Sequence, residues 1–355
     1  MSIYFTPDLS ALKPYVPGEQ PKDRKYIKLN TNESPFPPSQ EVIKAVCSEE
    51  ALRLNLYPDP DAGELCEALA QRYGVSKENV ICTNGSDEAL AFAFRAFCGS
   101  GRGAAFADIT YGFYPVYCDL YGIKRTILPV QDDLTIKADD YIGIPETVFI
   151  ANPNAQTGLS LPLDVIEKIV GSDKNRVVVA DEAYVDFGGE SAVGLTKRYP
   201  NLLIIGTFSK SRSLAGGRLG FAIGDRELIS DLNTVRYSFH PYNINRLTMA
   251  AGIAAVGDTG YFAECVNEII KVRAMTRQAL IKRGFDVTDS RGNFLLAANK
   301  KISGRELYSR LKDMGVLVRL LPDDRIKDHI RITIGTQDQM DTLIRCVDVI
   351  LKGLV

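Results

Sequence analysis

The sequence is poor in the residue types on which several kinds of catalytic site depend. Its 355 residues include no tryptophan and only two histidines, His240 and His329. A histidine-based triad needs an imidazole within reach of a nucleophile, and most zinc sites need several histidines or paired cysteines. We read both histidines as structural. Neither a triad nor a metal site is expected.

The seven cysteines are odd in number and scattered along the chain. They form no C-x-x-C pair and lie at no metal-binding spacing from a histidine. We interpret them as reduced thiols in the core, which is typical of a reducing compartment. The first residues show no basic segment followed by an apolar one, and no later apolar run approaches the length of a membrane span. A cytoplasmic protein is therefore expected.

Neither sign of charge predominates. The chain has 42 Lys and Arg against 44 Asp and Glu, interspersed, for a formal net charge of -2. Without a broad basic face, binding to nucleic acid or to an anionic membrane is not expected, and any anion site must be local. The length and the 45% hydrophobic content predict a globular fold with a large core. A small molecule is the expected ligand.

Short apolar runs alternate with helical patterns from Gly103 onward. The runs AAFA, TVFIA, RVVVA and NLLIIG show no polar alternation, which is typical of strands covered on both faces. The intervening helical patterns complete β-α-β units. The sequence therefore predicts an α/β fold, with a large domain whose mostly parallel sheet is flanked by helices.

The predicted organisation has three parts. Residues 1–35 are rich in proline and polar side chains and are read as an N-terminal arm that packs with the small domain. Residues 36–241 form the large domain. Residues 242–355, where long helical patterns are followed by a few strands, form a smaller α+β domain.

Polar side chains follow three of the apolar runs. TVFIA leads into the loop 152–158, RVVVA into Asp181 and Tyr184, and NLLIIG into Lys210. In open α/β sheets ligands bind outside the carboxyl ends of the strands, so these groups should line one crevice. Lys210 is read either as a surface lysine at a strand end or as a desolvated amine that attacks a carbonyl.

A carboxylate directly after a buried strand needs a partner, and the segment VVVADEAYVDF contains no Lys or Arg. Asp181 could cap a helix, pair with a distant side chain, or pair with a cationic ligand. The Gly85-Ser86-Asp87 turn between a strand and a helix predicts an anion site, and Arg218 could supply a second phosphate contact.

Pyridoxal 5'-phosphate fits this combination of groups. Lys210 would bind its aldehyde as a Schiff base, and Asp181 would keep its ring nitrogen protonated. Tyr184 would hydrogen-bond the phenolic oxygen of the ring. Tyr111 is either a stacking partner of the ring or an ordinary core aromatic.

These residues carry a resemblance to known proteins. The segments DEAY at 181–184 and SKSRSLAGGRLGF at 209–221 resemble the fold-type I, class I/II pyridoxal-phosphate-dependent aminotransferases. The segments LKPYVPG, LNTNESPFPPS, TNGSDEAL and RITIGT are similar to the histidinol-phosphate aminotransferase family. The resemblance covers essentially the whole chain. It implies transamination between histidinol phosphate and 2-oxoglutarate, in histidine biosynthesis, by a ping-pong mechanism.

The resemblance also implies residue roles. The implied catalytic residues are Lys210, Asp181 and Tyr184. The implied cofactor-binding residues are Gly85, Ser86, Asp87, Tyr111, Asn154, Asp181, Tyr184, Thr207, Ser209, Lys210 and Arg218, with Tyr57 reaching the cofactor of the neighbouring subunit in a homodimer. The implied substrate-binding residues are Tyr15, Asn32, Arg319 and Arg331.

One motif departs from the family pattern. Where the family reads Asn-Pro-Thr-Gly, this chain has Ala155 and Gln156 before Thr-Gly. The asparagine expected beside the ring oxygen is therefore missing, and Asn154 is predicted to substitute for it.

Alternative functions remain at the level of sequence. An aromatic or broad-specificity aminotransferase and a threonine-phosphate decarboxylase would share the cofactor residues. A non-catalytic regulator on this fold normally carries a DNA-binding region, for which we expect no room before Ser10. A nucleotide-binding loop at GSGRG, residues 99–103, is less expected because it precedes a strand.

Overall fold

The structure is a computed structural model that describes residues 2, 4–6, 9, 10 and 12–354. Within them the α-helices are α1 (Gln40–Val46), α2 (Gly63–Tyr73), α3 (Gly85–Phe97), α4 (Tyr114–Tyr121), α5 (Leu163–Gly171), α6 (Arg226–Phe239), α7 (Arg246–Gly257), α8 (Thr259–Ile281), α9 (Gly304–Asp313) and α10 (Gln337–Lys352). Among these residues no helix is long and apolar enough to cross a lipid bilayer.

The strands found in the described residues form three sheets. They are β1 (Ile27–Lys28), β2 (Val80–Thr83), β3 (Ala104–Ala107), β4 (Arg125–Leu128), β5 (Thr147–Ala151), β6 (Val178–Asp181), β7 (Leu202–Thr207), β8 (Gly220–Ile223), β9 (Phe285–Val287), β10 (Phe294–Asn299), β11 (Val316–Leu317), β12 (Arg319–Leu320) and β13 (His329–Thr333). The largest sheet has seven strands in the order β2-β8-β7-β6-β5-β3-β4.

The seven-stranded sheet is parallel except for β8, which runs antiparallel to both β2 and β7. The segment between β7 and β8 holds one short 3-10 turn, Ala215–Gly217, and no crossover helix. A parallel connection normally needs a crossover helix, so the chain returns antiparallel. The predicted α/β class with a mostly parallel sheet is confirmed.

Helices cover both faces of this sheet. Alternate residues of β6 and β7 point to opposite faces, so Val178 and Leu202 join one core and Val179 and Leu203 join the other. The strands β2, β3 and β5 to β8 are buried along their whole length. This two-sided burial explains why their sequences are apolar without alternation.

A second, antiparallel sheet has the order β12-β13-β10-β9 and shares a core with α8, α9 and α10. The arm reaches this part of the chain, because β1 pairs in parallel with β11 and Ile27 lies opposite Val316. Just after β1, the backbone oxygen of Thr31 accepts from Lys210, which follows β7, and the N–H of Asn32 donates to Thr333 in β13. This segment therefore contacts the parts of the chain that carry the two larger sheets.

Helix α7 packs with the large core. Its residues Ala251 and Ala255 share a buried cluster with Val42 and Leu65. A domain boundary at residues 241–242 would separate α7 from these partners, so the packing favours a boundary after Gly257. The division into three parts otherwise stays a prediction.

Replacing Gly220 with alanine should destabilise the large core. A Cβ atom at this position of β8 would lie 2.4 Å from the backbone of Gly85 and Ser86, where α3 begins. Overpacking against backbone costs about 1–3 kcal/mol or more. Urea unfolding followed by circular dichroism measures the loss.

The matched control is Gly194→Ala. Nothing lies within 4 Å of the added methyl group at this exposed position. We expect its free energy of unfolding to stay close to that of the wild type. Equal stability of the two variants would contradict the close approach of β8 and α3.

Candidate active site

The strands β5, β6 and β7 lie side by side and parallel, and their carboxyl ends open into one cavity of about 330 Å³. The cavity brings together residues that are far apart in the sequence. Those of its lining residues that the sequence predicts for a site are Ser86, Asp87, Tyr111, Asp181, Tyr184, Thr207, Ser209, Lys210 and Arg218.

Asp181 ends β6 at the floor of this cavity and is 5% exposed. The hydroxyl of Tyr114 donates to its Oδ2 at 2.9 Å, and the backbone N–H of Ala183 donates to Oδ1 at 3.2 Å. Within the described residues no Lys or Arg forms an ion pair with it. Burial therefore raises the pKa of Asp181 to about 6.

Lys210 follows β7 and points across the cavity. Its Nζ lies 5.8 Å from the centre of the Tyr184 ring and donates to the backbone oxygen of Thr31 at 3.3 Å. In the described part of the chain no carboxylate lies within ion-pair distance of this nitrogen. The amine is thus held by the arm and remains available for covalent chemistry.

The first turn of α3 forms an anion cradle with the loop before β8. The first N–H groups of a helix have no intrahelical acceptor, and they favour negative charge. A Cβ atom at Gly85 would lie 2.6 Å from Nη2 of Arg218, so glycine at this position leaves room for the guanidinium. Arg218 also donates to the hydroxyl of Ser209 at 3.4 Å.

The side chain of Asp87 is neutralised within this cradle. Arg218 donates to its Oδ2 at 3.1 Å, and Tyr111 donates to its Oδ1 at 2.7 Å. The carboxylate therefore does not repel an anion as a free charge would. The hydrogen bond from Tyr111 to Asp87 also fixes the Tyr111 ring on the cavity wall.

A second cavity of about 470 Å³ adjoins the first. Thr31, Tyr111, Ala155, Tyr184 and Lys210 line both cavities. All four residues predicted to bind substrate line the second one, namely Tyr15, Asn32, Arg319 and Arg331. An amine at the shared wall could thus act on a molecule held in the second cavity.

Two arginines lie side by side in this second cavity. Arg319 and Arg331 are register partners on β12 and β13. Arg319 donates to the backbone oxygens of Val16 and Pro17, and Arg331 donates to that of Ala155 at 2.8 Å. Among the described residues no carboxylate pairs with either guanidinium. Their positive charges are therefore available to an anion.

Asn154 does not line either cavity. Its Oδ1 accepts from the backbone N–H groups of Gln156 and Thr157, and its Nδ2 donates to the backbone oxygen of Ile109 at 2.8 Å. Both ends of the amide thus hold the loop and its neighbour together. Ala155, and not Asn154, lines the first cavity. The structure therefore gives no support to the predicted contact of Asn154 with the cofactor.

Tyr57 also lies outside both cavities of its own chain. Its side chain is 76% exposed, and its ring stacks on Tyr242 with 4.5 Å between ring centres. The structure thus leaves this predicted site residue on the surface.

Comparison with known proteins decides the family. The family described as aminotransferase class I and II matches residues 24–347. The histidinol-phosphate aminotransferase of Brachyspira hyodysenteriae is 47% identical over 99% of this chain and 100% of its own length. That of Clostridium botulinum strain Okra is 43% identical, with full coverage of both chains. The chain belongs to the histidinol-phosphate aminotransferase family.

A solved structure shows the same fold. Histidinol-phosphate aminotransferase from Sinorhizobium meliloti, in complex with pyridoxal-5'-phosphate, has a TM-score of 0.91 at 23% identity, with 100% of this chain and 99% of that chain covered. The L-threonine-O-3-phosphate decarboxylase of Porphyromonas gingivalis has a TM-score of 0.80 at 22% identity, with coverages of 92% and 99%. These likenesses concern the fold, which is that of the fold-type I aminotransferases.

The residues of this aminotransferase fit its cofactor, pyridoxal 5'-phosphate. The buried carboxylate of Asp181 has no cationic partner in the described part of the chain, and a protonated ring nitrogen would supply one. Lys210, which forms no ion pair within the described residues, would offer its amine to the aldehyde. The cradle beside Arg218 offers N–H and guanidinium donors to the phosphate. The ring nitrogen, the aldehyde and the phosphate of the cofactor would thus each meet a residue of matching chemistry in one cavity.

Sequence reasoning missed Tyr114, which holds Asp181. It lies three residues after Tyr111, and helical spacing could have indicated that both face the same site. The backbone oxygen of Thr31 was also missed, and no side-chain pattern could have indicated it.

The cofactor-free aminotransferase should lose stability as the pH rises from about 4 to about 6. The pKa of Asp181, about 6 when folded, lies above its ordinary value of 3.8, so in this interval the folded chain keeps a proton that the unfolded chain has lost. This difference in pKa corresponds to a loss of about 3 kcal/mol in the free energy of unfolding. Asp181→Asn should remove this part of the pH dependence, as measured by urea unfolding.

Glu182→Gln serves as the matched comparison for this measurement. The Glu182 carboxylate is also buried, and its pKa is raised from 4.5 to about 7. The pH dependence lost in that variant should extend to about pH 7. An Asp181→Asn chain with the pH dependence of the wild type would show that Asp181 is not buried as described.

Proposed function

We propose that this chain transfers the amino group of histidinol phosphate to 2-oxoglutarate. The observation that carries the proposal is the pair Arg319 and Arg331, which line the cavity next to Lys210 without a carboxylate partner among the described residues. The names of relatives at 47% and 43% identity support it.

Asp181, Lys210 and Thr31 supply the groups for proton transfer. Pyridoxal phosphate, when bound, supplies an electron sink that acidifies the α-proton of an amino donor. Asp181 in its ionised form would hold a proton on the ring nitrogen, since a buried cation and a buried carboxylate stabilise each other. The amine of Lys210 would take the α-proton and return it to the carbon of the aldehyde group. The backbone oxygen of Thr31 holds that amine at the wall between the cavities.

The other cofactor contacts are proposed from the geometry of the cradle. The residues that would hold the phosphate are Ser86, Asp87, Thr207, Ser209 and Arg218. Tyr184 would donate to the phenolic oxygen of the ring. Tyr111, which Asp87 holds in place, would cover one face of the ring.

The two arginines would bind the anionic end of each substrate in turn. Guanidinium groups form paired hydrogen bonds with phosphate and with carboxylate. The phosphate of histidinol phosphate and the distal carboxylate of 2-oxoglutarate could therefore occupy the same place. Tyr15 lies in the same cavity and would contact the substrate from the arm.

The proposed reaction belongs to histidine biosynthesis, and we place it in the cytoplasm. The names of the relatives support the pathway. Localisation of the tagged chain in cell fractions would test the compartment.

Single-turnover measurements with separate amino donors test the proposed substrate. Histidinol phosphate should bleach the visible absorbance of the bound cofactor faster than histidinol, phenylalanine or glutamate. The product should be the corresponding oxo compound, identified by mass spectrometry. A faster reaction with phenylalanine would favour an aromatic aminotransferase. Release of carbon dioxide from threonine phosphate would favour a decarboxylase.

Arg331→Met provides the matching test of the arginine pair. Loss of one charge-assisted contact should lower kcat/KM for histidinol phosphate about 10- to 100-fold and should leave the slow reaction with histidinol nearly unchanged. Arg345→Met, at an exposed position of α10, is the control. Equal losses with both donors would show that Arg331 does not bind the phosphate.

An exposed apolar segment supports a proposed homodimer. Leu52, Leu54, Leu56 and Tyr57 are each more than half exposed and adjacent in the sequence. An exposed apolar segment of this kind is typical of a protein interface. A second copy would cover the segment and would receive Tyr57 at its cofactor phosphate.

Mixing two inactive variants tests the role of Tyr57. In a heterodimer of Tyr57→Ala and Lys210→Ala chains, one site would combine an intact Lys210 with an intact Tyr57 from the other chain. After unfolding and refolding together, about a quarter of the sites should be active. If Tyr57 acted within its own chain, the mixture would stay as inactive as its components.

A further inference from the structure

The hydroxyl of Tyr184 has one hydrogen-bond partner in the described part of the chain. That partner is Asn32, whose Nδ2 lies 3.0 Å from the Tyr184 oxygen. Asn32 belongs to the segment between β1 and α1 and is 1% exposed. The loop position where the family pattern has an asparagine is occupied by Ala155, which has no polar side chain.

The direction of this hydrogen bond is fixed by Thr333. The backbone N–H of Asn32 donates to Oγ1 of Thr333 at 2.9 Å. The Thr333 hydroxyl in turn donates to Oδ1 of Asn32 at 2.9 Å. Because Oδ1 faces Thr333, the amide nitrogen faces Tyr184 and must donate to it. The proton of the Tyr184 hydroxyl is therefore left for another acceptor.

Asn32 is itself held in one conformation. Its backbone has φ 55°, in the left-handed region that asparagine tolerates better than most residues. Nδ2 of the fully buried Asn293 donates to the backbone oxygen of Asn32 at 3.0 Å. Thr333 is the last residue of β13 and Asn293 directly precedes β10, so the second sheet sets the orientation of the Asn32 amide.

We propose that Asn32 is a positioning residue: it directs the Tyr184 proton to the phenolic oxygen of bound pyridoxal phosphate and takes over from the amide that is absent at position 155. The inference rests on the proposed function only through the placing of the cofactor ring beside Tyr184. The Lys210 nitrogen lies 5.8 Å from the centre of the Tyr184 ring. The charged residues that line a cavity together with Tyr184 are Glu33, Asp87, Asp181, Lys210 and Arg218 in the first cavity and Lys210, Arg319 and Arg331 in the second. None of these is removed by the variants below.

The pH midpoint of the absorbance change of the bound cofactor is the measurement of choice. The ring oxygen and the Lys210 nitrogen joined to the cofactor compete for one proton, and a donor at the oxygen stabilises its anionic form. Loss of that donor should raise the midpoint by about one pH unit. The dissociation constant of the cofactor should rise at the same time.

Asn32→Gly is the first variant, because glycine accepts the left-handed backbone conformation and has no side-chain amide. It should shift the midpoint upward. Thr333→Val, which frees the amide to rotate, should shift it in the same direction by less. Asn30→Ala is the matched control: Asn30 is equally buried, and its Nδ2 holds the backbone oxygen of Glu19 and does not touch Tyr184. The midpoint of this control should stay at the wild-type value.

A double-mutant cycle shows whether Asn32 acts through Tyr184. In a Tyr184→Phe chain, adding Asn32→Gly should produce no further shift of the midpoint. Adding Ala155→Asn to the Asn32→Gly chain should return the midpoint toward the wild-type value, since it restores an amide near the ring oxygen. Thermal unfolding of the cofactor-free variants checks that each chain folds.

Three outcomes would overturn the proposal: an unchanged midpoint in folded Asn32→Gly and Thr333→Val chains, additive shifts in the cycle, or an equal shift in Asn30→Ala. The measurement needs no amino donor. A wrong substrate assignment would therefore leave it unaffected, and the two proposals can fail separately.

Discussion

A buried carboxylate without a cation is the constraint around which this site is arranged. Removing an ionised carboxylate from water costs several kcal/mol unless charge and hydrogen bonds compensate it. Tyr114 and the Ala183 amide give Asp181 two hydrogen bonds but no positive charge. A ligand with a cationic nitrogen would supply the charge that the described residues do not give to Asp181. The amine of Lys210 and the cradle beside Arg218 would then set the place of the rest of that ligand.

The parts of the site that follow strands could be predicted from the sequence. Asp181 comes at the end of one apolar run, and Lys210 comes soon after another. The carboxyl ends of parallel strands meet at one edge of the sheet, so the two residues had to be neighbours. The same reasoning could not give the direction of a side chain in an irregular loop. Asn154 and Ala155 differ by one position, and the hydrogen bonds of the loop decide that Ala155 faces the cavity.

Site residues whose positions depend on long-range strand pairing could be predicted only from the family resemblance. Arg319 and Arg331 are adjacent because two short strands pair, and strands of this length leave little signal in the sequence. The position of α7 is a similar case. Its sequence is apolar on several sides, so the sequence does not show whether the helix packs with the large domain or with the small one. Its close packing against α1 and α2 places it in the core of the large domain.

The arginines of the two cavities are held in different ways, and this difference supports the separate roles proposed for them. Arg218 forms an ion pair with Asp87, so the positive charge that it would offer to a phosphate in the cradle is already partly neutralised. Arg319 and Arg331 are held by backbone oxygens of the arm and of the loop after β5, which fix their positions without cancelling their charge. An anion bound there would contact a guanidinium tied to the arm and another tied to the loop. The proposed substrate anion would therefore lie where the arm, the loop after β5 and the second sheet meet, in the cavity whose wall includes Lys210.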